Sequence, residues 1–367
     1  MIARKTIENI LITLLFILPI SGILSAQEHQ NETTEKADFQ VTEMILHHIA
    51  DSHNFHILDW KGHPVSMPLP VILWTDNGLV TFMSSEFHHD EKATVIVEKK
   101  DQKFTIYHGK IYYANNEADE HGKYVDFDQD QHPINSRVID LSITKNVFSM
   151  FLSMIVLILL FLTAARSYKK IGNGAPKGIA KFMEPIIVFI RDEVAIPNIG
   201  KQKYKKYMPF LLTIFFFIWL NNIFGLIPFF PFSSNLSGNI SFTFTLAFIT
   251  FIITTVISKK NYWKHMLWMP GVPVYMKLFL APIELVGMFV KPIALMIRLF
   301  ANITAGHVIV LSLISLIFIL ETIWVSPASI LFTIFISVIE ILVVAIQAYI
   351  FTMLSALYFG QALEDEH

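Results

Sequence analysis

After Ser142 the chain is written in five long apolar blocks, at about residues 147–165, 208–232, 240–258, 278–320 and 327–359. A helix needs about 20 apolar residues to cross a hydrocarbon core of about 30 Å. Within that core every backbone polar group must be paired, which leaves only helices and closed barrels. Blocks of this length read as helices, so this part of the chain predicts an all-α polytopic membrane protein with five transmembrane helices. The fourth block would extend about 65 Å at about 1.5 Å per residue. That predicts a steep tilt or a break, with Pro282 and Pro292 as kink points.

Basic residues set the expected orientation. Arg166, Lys169, Lys170, Lys177 and Lys181 follow the first block. Lys201, Lys203, Lys205 and Lys206 precede the second, and Lys259, Lys260 and Lys264 follow the third. Short loops rich in Lys and Arg stay in the cytoplasm. The chain is therefore expected in the cell inner membrane, with its C-terminus cytoplasmic. Residues 177–196 are shorter and amphipathic, and predict a helix lying along the cytoplasmic interface.

The first third is different. Most of the 14 His fall between His29 and His132. Residues 1–26 read as a signal peptide: Arg4 and Lys5, an apolar core from Ile10 to Ile20, then Ser25 and Ala26. The alternative is an uncleaved first membrane helix. Residues 27–140 then form a periplasmic N-terminal extension, with a polar, disordered start at 27–38 and a small β-rich domain after it. Strand-like segments at 71–74 and 79–83 flank Asp76-Asn77-Gly78, a hairpin signal. Further strands are expected at 94–97, 104–107 and 110–113. Residues 141–367 make up the transmembrane domain.

Several chemistries are excluded. The chain has no Cys, so disulfides and thiolate sites are absent. Its net charge of −2 gives no basic surface for nucleic acid. His47, His48, His53, His56, His63, His88 and His89 lack any metal-ligand spacing, so they read as solvated or structural. Asp126, Asp128 and Asp130 resemble the start of a calcium loop without its later ligands. No metal and no cofactor is expected.

The informative residues are the charges inside apolar blocks. Each costs about 2.5–3.5 kcal/mol to insert at a helix centre, so each needs a reason. Lys277, Glu284, Lys291 and Arg298 recur every seven residues and form one helical stripe, drifting about 20° per step. Lys277 reads as an interfacial side chain; Arg298 lies deep in the block. Counting outward from the turn near 321–327, His307 is 14 residues before Glu321 and Glu340 is 13 after Pro327. Both are then about 20 Å along antiparallel helices, so the two should sit level. Arg298 should be level with Gln347, as a charged, hydrogen-bonded pair. Arg stays protonated, so it can block or counter a charge but cannot relay a proton. A His–Glu pair can relay one. No nucleophile or phosphate loop accompanies them, so the chain is expected to translocate protons rather than make bonds.

These residues carry a resemblance. The run Lys291-Pro292-Ile293-Ala294-Leu295-Met296-Ile297-Arg298-Leu299-Phe300-Ala301-Asn302, continuing to Gly306-His307, resembles the signature of the subunit a family of F-type ATP synthases. Glu340 through Gln347 resembles its last helix. Asn221-Asn222-Ile223-Phe224-Gly225-Leu226-Ile227-Pro228 looks like its second spanning helix, and Gly238-Asn239 like the start of its third. The likeness covers about residues 140–360. It implies a proton-channel stator subunit whose Arg298 faces the carboxylate of a rotating c-ring and separates two half-channels. Gln347 would lie beside Arg298. Glu284 would line the cytoplasmic half-channel; Asn302, His307 and Glu340 would line the outer one. Asn222, Asn239 and Lys291 are further candidate lining residues. Implied partners are the c-ring, the b subunits of the peripheral stalk, membrane lipid and protons. Some relatives carry Glu at the His307 position and His at the Glu340 position, so the pair is exchanged here. Gly225 and Gly238 stand where some relatives have acids. The long N-terminal extension is not explained by the family. A stand-alone transporter is the competing reading, but the paired repeats with broken helices that would support it are not visible. A metal- or partner-binding role is the alternative for the N-terminal domain alone.

Overall fold

A computed structural model describes residues 50–367, apart from 61–62, 130–131, 172–173, 228–229, 233, 269–270, 272, 321–323 and 365–367. The expected signal peptide, the polar stretch at 27–38, His47 and His48 lie outside the described residues.

The N-terminal part is β-rich. Strands β1 (Asn54–Trp60) and β2 (His63–Pro68) form a hairpin. β3 (Pro70–Thr75) pairs on one side with β4 (Gly78–Met83) and on the other with β8 (Ile139–Asp140). β5 (Val97–Lys99), β6 (Gln102–Tyr107) and β7 (Lys110–Tyr113) make a second three-stranded sheet. Alternate residues of β3 and β4 point inward, as a strand's period of two requires. Val71, Leu73, Val80 and Phe82 thereby share a core with Val97, Phe104, Ile106 and Ile111 of the second sheet. The Asp76-Asn77-Gly78 hairpin forms as expected, with Gly78 at φ +89°, where a side chain would be strained.

One expected strand is displaced. The segment at 94–97 is extended only from Val97, because the Asp90 carboxylate accepts the backbone N–H groups of Thr94 and Val95 at 2.6 and 3.0 Å. Local side-chain capture of those donors competes with the ladder.

Among the described residues, five helices are long and apolar enough to span a bilayer. They are α1 (Lys145–Ile171), α4 (Tyr204–Leu226), α5 (Ile240–Ile257), α7 (Val274–Leu320) and α8 (Ser326–Leu363). Shorter helices α2 (Ile179–Phe189) and α3 (Ile196–Ile199) are joined by a π-helical turn, and α6 (Lys260–Leu267) precedes α7. α7 is one continuous helix of 47 residues despite Pro282 and Pro292. Its length of about 70 Å is more than twice a hydrocarbon core, so a single crossing requires strong tilt. A shared core joins α2, α4, α7 and α8 through Met183, Leu211, Ile218, Leu295, Leu299 and Phe351.

The basic clusters gather at one end of the bundle. Lys203 Nζ donates to the Leu363 carbonyl at 3.0 Å, and the Lys259 N–H to the Ala362 carbonyl at 3.1 Å. The end of α8, the start of α4 and the end of α5 therefore lie together. The β-rich part is seated at the other end, against the start of α1.

Candidate functional site

α7 and α8 run antiparallel and pack along their length. On α7, Leu295, Leu299 and Ile303 recur every four residues and are buried, which fixes the inward face of the helix. That choice turns Arg298 outward. It is exposed, with the exposed apolar residues Ile293 and Ile297 beside it on α7. On α8, Leu342 and Ile346 are likewise exposed and apolar. Arg298 is thus a permanent cation on an apolar face.

His307 and Glu340 meet as the turn-counting predicts. His307 Nε2 lies 4.0 Å from Glu340 Oε1, a charge contact just longer than a hydrogen bond. Glu340 is 5% exposed. One glycine makes room for the pair. A Cβ on Gly306 would stand 2.6 Å from Glu340 Oε1, whereas one on Gly225 would stand at an ordinary contact distance of 3.7 Å from His307 Nε2.

Arg298 and Gln347 behave differently. Gln347 is buried at 7% exposure, whereas Arg298 faces out, and among the described residues no hydrogen bond joins them. The expected hydrogen-bonded pair is not formed in this chain alone. Asn302 is exposed on the same helix. Asn222 is buried on α4, with neither end of its amide bonded to protein. Asn239 has a plain local duty: its side chain accepts from the Ser241 N–H at 2.9 Å and caps α5.

A second polar group lies toward the basic end. Lys291 Nζ donates to Gln361 Oε1 at 3.1 Å and stands 5.7 Å from the Tyr358 ring. Both border a narrow cleft that Thr250, Thr254 and Tyr262 also line. Glu284, half-buried, faces Tyr262; burial first, and then this neighbouring carboxylate, push the Tyr262 hydroxyl above its usual pKa. Gln361 was not singled out from sequence. Turn-counting falls about one helical turn short of it: Lys291 is 30 residues before Glu321, whereas Gln361 is 34 after Pro327.

Of the histidines in the N-terminal part, His53 is buried and its Nε2 lies 2.7 Å from Asp140 Oδ2. Among the described residues, no three His, Asp or Glu side chains converge as a metal site.

Fold and site together define a polytopic membrane protein with a cation on its outer apolar face and a buried His–Glu pair between its two longest helices. The model of the ATP synthase A chain family matches residues 147–360, and the chain belongs to that family. A domain of unknown function, DUF8433, matches residues 44–141. ATP synthase subunit a of Chloroherpeton thalassium is 43% identical over 233 residues, covering 62% of this chain and 68% of that protein. ATP synthase subunit a 2 of Chlorobaculum tepidum is 46% identical over 237 residues, covering 62% and 66%. ATP synthase subunit a of Anaeromyxobacter sp. Fw109-5 is 36% identical over 265 residues, covering 69% and 63%. The matched stretch spans about two thirds of each relative's own length.

Proposed function

We propose that this chain is the non-catalytic proton-channel stator of an F-type ATP synthase, and that Arg298 is its electrostatic barrier. Family membership makes it a proton-translocating component of that complex. The observation that carries the residue assignment is the exposed Arg298 on an apolar face, backed by the buried His307–Glu340 pair. A cation on such a face costs too much to leave against lipid. A carboxylate on a partner helix, as in a c-ring, would satisfy it and be held deprotonated by it.

In this reading protons enter from the outer side past Glu340, His307 and Asn302, with Asn222 and Asn239 nearby. They neutralise a c-ring carboxylate, which then moves into lipid. After rotation they leave near Glu284 and Lys291. Arg298, with Gln347 beside it, denies them a direct path. The N-terminal domain is periplasmic and follows a signal peptide, α2 lies along the cytoplasmic interface of the inner membrane, and b subunits hold the stator. The gathering of basic residues at the end opposite the β-rich part supports that orientation.

The test is Arg298→Ala in the purified, reconstituted complex. ATP-driven proton pumping should be abolished, and coupled pumping at the wild-type rate would overturn the assignment.

A further inference from the structure

Between the N-terminal domain and the His307–Glu340 pair runs a seam of buried polar side chains. Its outer end is fixed by direct contacts. Asp51 accepts the Asn146 N–H at 3.1 Å and the Thr144 hydroxyl at 2.8 Å, tying the domain to the first turn of α1. The Asn146 side chain, 4% exposed, accepts from the Ser234 hydroxyl at 2.5 Å. The Ser234 carbonyl lies 3.0 Å from where a Cβ on Gly225 would stand, and that same point is 3.7 Å from His307 Nε2. Phe55, fully buried, sets its ring edge-on to Phe148 of α1 and Phe230 of the loop between α4 and α5, at centroid distances of 5.8 and 5.3 Å. β1 of the N-terminal domain is thereby locked over this end of the bundle.

Along the seam the protein does not satisfy its own polar atoms. Ser149 Oγ sits one turn along α1 from Asn146, and the Asn222 amide one turn before Gly225 on α4. Asn235 Nδ2 and Ser237 Oγ lie in the connecting loop, whose short helical turn at Leu236–Gly238 touches α1, α4 and α7. Glu340 Oε1 is at the inner end. All are shielded from solvent and accept or donate no hydrogen bond within the protein. An unmet buried polar atom costs about 1–3 kcal/mol. Folded proteins meet such groups with protein or with ordered water, and a polar site offering several partners holds it.

We propose that the N-terminal domain walls the outer mouth of the proton route, so that water held by this polar seam passes under it to His307 and Glu340. The inference rests on the outer-route role given to that pair above. The neutral amides and hydroxyls of the seam order water without binding a proton of their own. The domain matters because its contacts through Asp51 and Phe55 close one side of the seam.

The absence of Cys allows a direct test in the whole complex. Ser149→Cys and Ser237→Cys are near-isosteric; recovery of the complex with all its subunits verifies assembly, and each variant's pumping is compared before and after treatment. Silver ion added from the outer side should then react with both and reduce proton conduction at least tenfold. Leu211→Cys, in the apolar core of α4, should stay inert. Adding Phe55→Ala should speed the reaction of Ser149→Cys severalfold by loosening the domain. Seam cysteines as inert as Leu211→Cys would overturn the water chain, and a rate unchanged by Phe55→Ala would overturn the domain's part in it. Coupled pumping by Arg298→Ala would instead sink the parent reading, so the two failures are distinguishable.

Discussion

A Cβ at position 306 would stand 2.6 Å from the Glu340 carboxylate, so the residue beside His307 must be small for the pair to meet. The clash is with the far end of a flexible side chain, which can swing away cheaply. Gly306→Ala should therefore leave stability within about 1 kcal/mol while displacing the carboxylate from His307. The expected result is assembled complex with ATP-driven pumping reduced about tenfold; wild-type pumping would show that the 4.0 Å approach is not needed. A related expectation is that His307→Glu with Glu340→His restores more pumping than either single change, since contact is preserved when the partners exchange. A double variant no better than the worse single would refute it. The pair itself was legible in sequence, because counting from a turn gives height along two antiparallel helices. Counting does not give azimuth. Arg298 and Gln347 were placed level by the same arithmetic, yet Leu295 and Leu299 claim the inward face of α7 and turn Arg298 out.

At the scale of elements, the last helix is held by a backbone contact that sequence does not advertise. A Cβ on Gly360 would fall 1.9 Å from the carbonyl oxygen of Asn198, just after the π-helical turn. Neither backbone can yield as a side-chain tip can. Gly360→Ala should cost about 1–3 kcal/mol or more, seen as a lower detergent melting temperature and poor recovery of complex. An unchanged melting temperature would mean that α8 slides freely past α3. The five long apolar helices were readable to within about six residues at their ends because their signal is length and apolarity. The hairpin of β1 and β2 was not. A register shift between His56 and Leu58 breaks the period of two, and Pro64 and Pro68 interrupt the second strand's pattern. Of the two readings of the fourth block, steep tilt or a break, the continuous helix removes the break at Pro282 and Pro292; a helix packed among others can absorb the lost backbone bonds.

At the scale of the whole molecule, the join between the β-rich part and the membrane part depends on buried polar contacts rather than on a broad apolar face. Its sequence signature is scattered over residues far apart in the chain, which is why the role of the N-terminal domain could not be read from motifs. A polar contact within the N-terminal domain itself has a pH signature. Burial pushes the Asp140 carboxyl up, but hydrogen bonds with His53 and from Ser142 outweigh it and hold the pKa below the ordinary 3.8. A carboxylate with a depressed pKa in the folded state adds stability that is present above its unfolded pKa and is lost as pH falls through the folded one. Asp140→Asn should therefore weaken the domain by about 1.5–3 kcal/mol at pH 7. The readout is native-state hydrogen exchange of β1 and β3 amides in the full complex, corrected for intrinsic rates. Protection should drop in the variant at neutral pH, and the gap from wild type should close as the pH falls below the ordinary 3.8 and through the lowered folded-state value, where both chains come to carry an uncharged group at 140. A gap that persists undiminished in acid would assign Asp140 a packing role, and would remove charge from the account of how β8 is held to the residues just before β1.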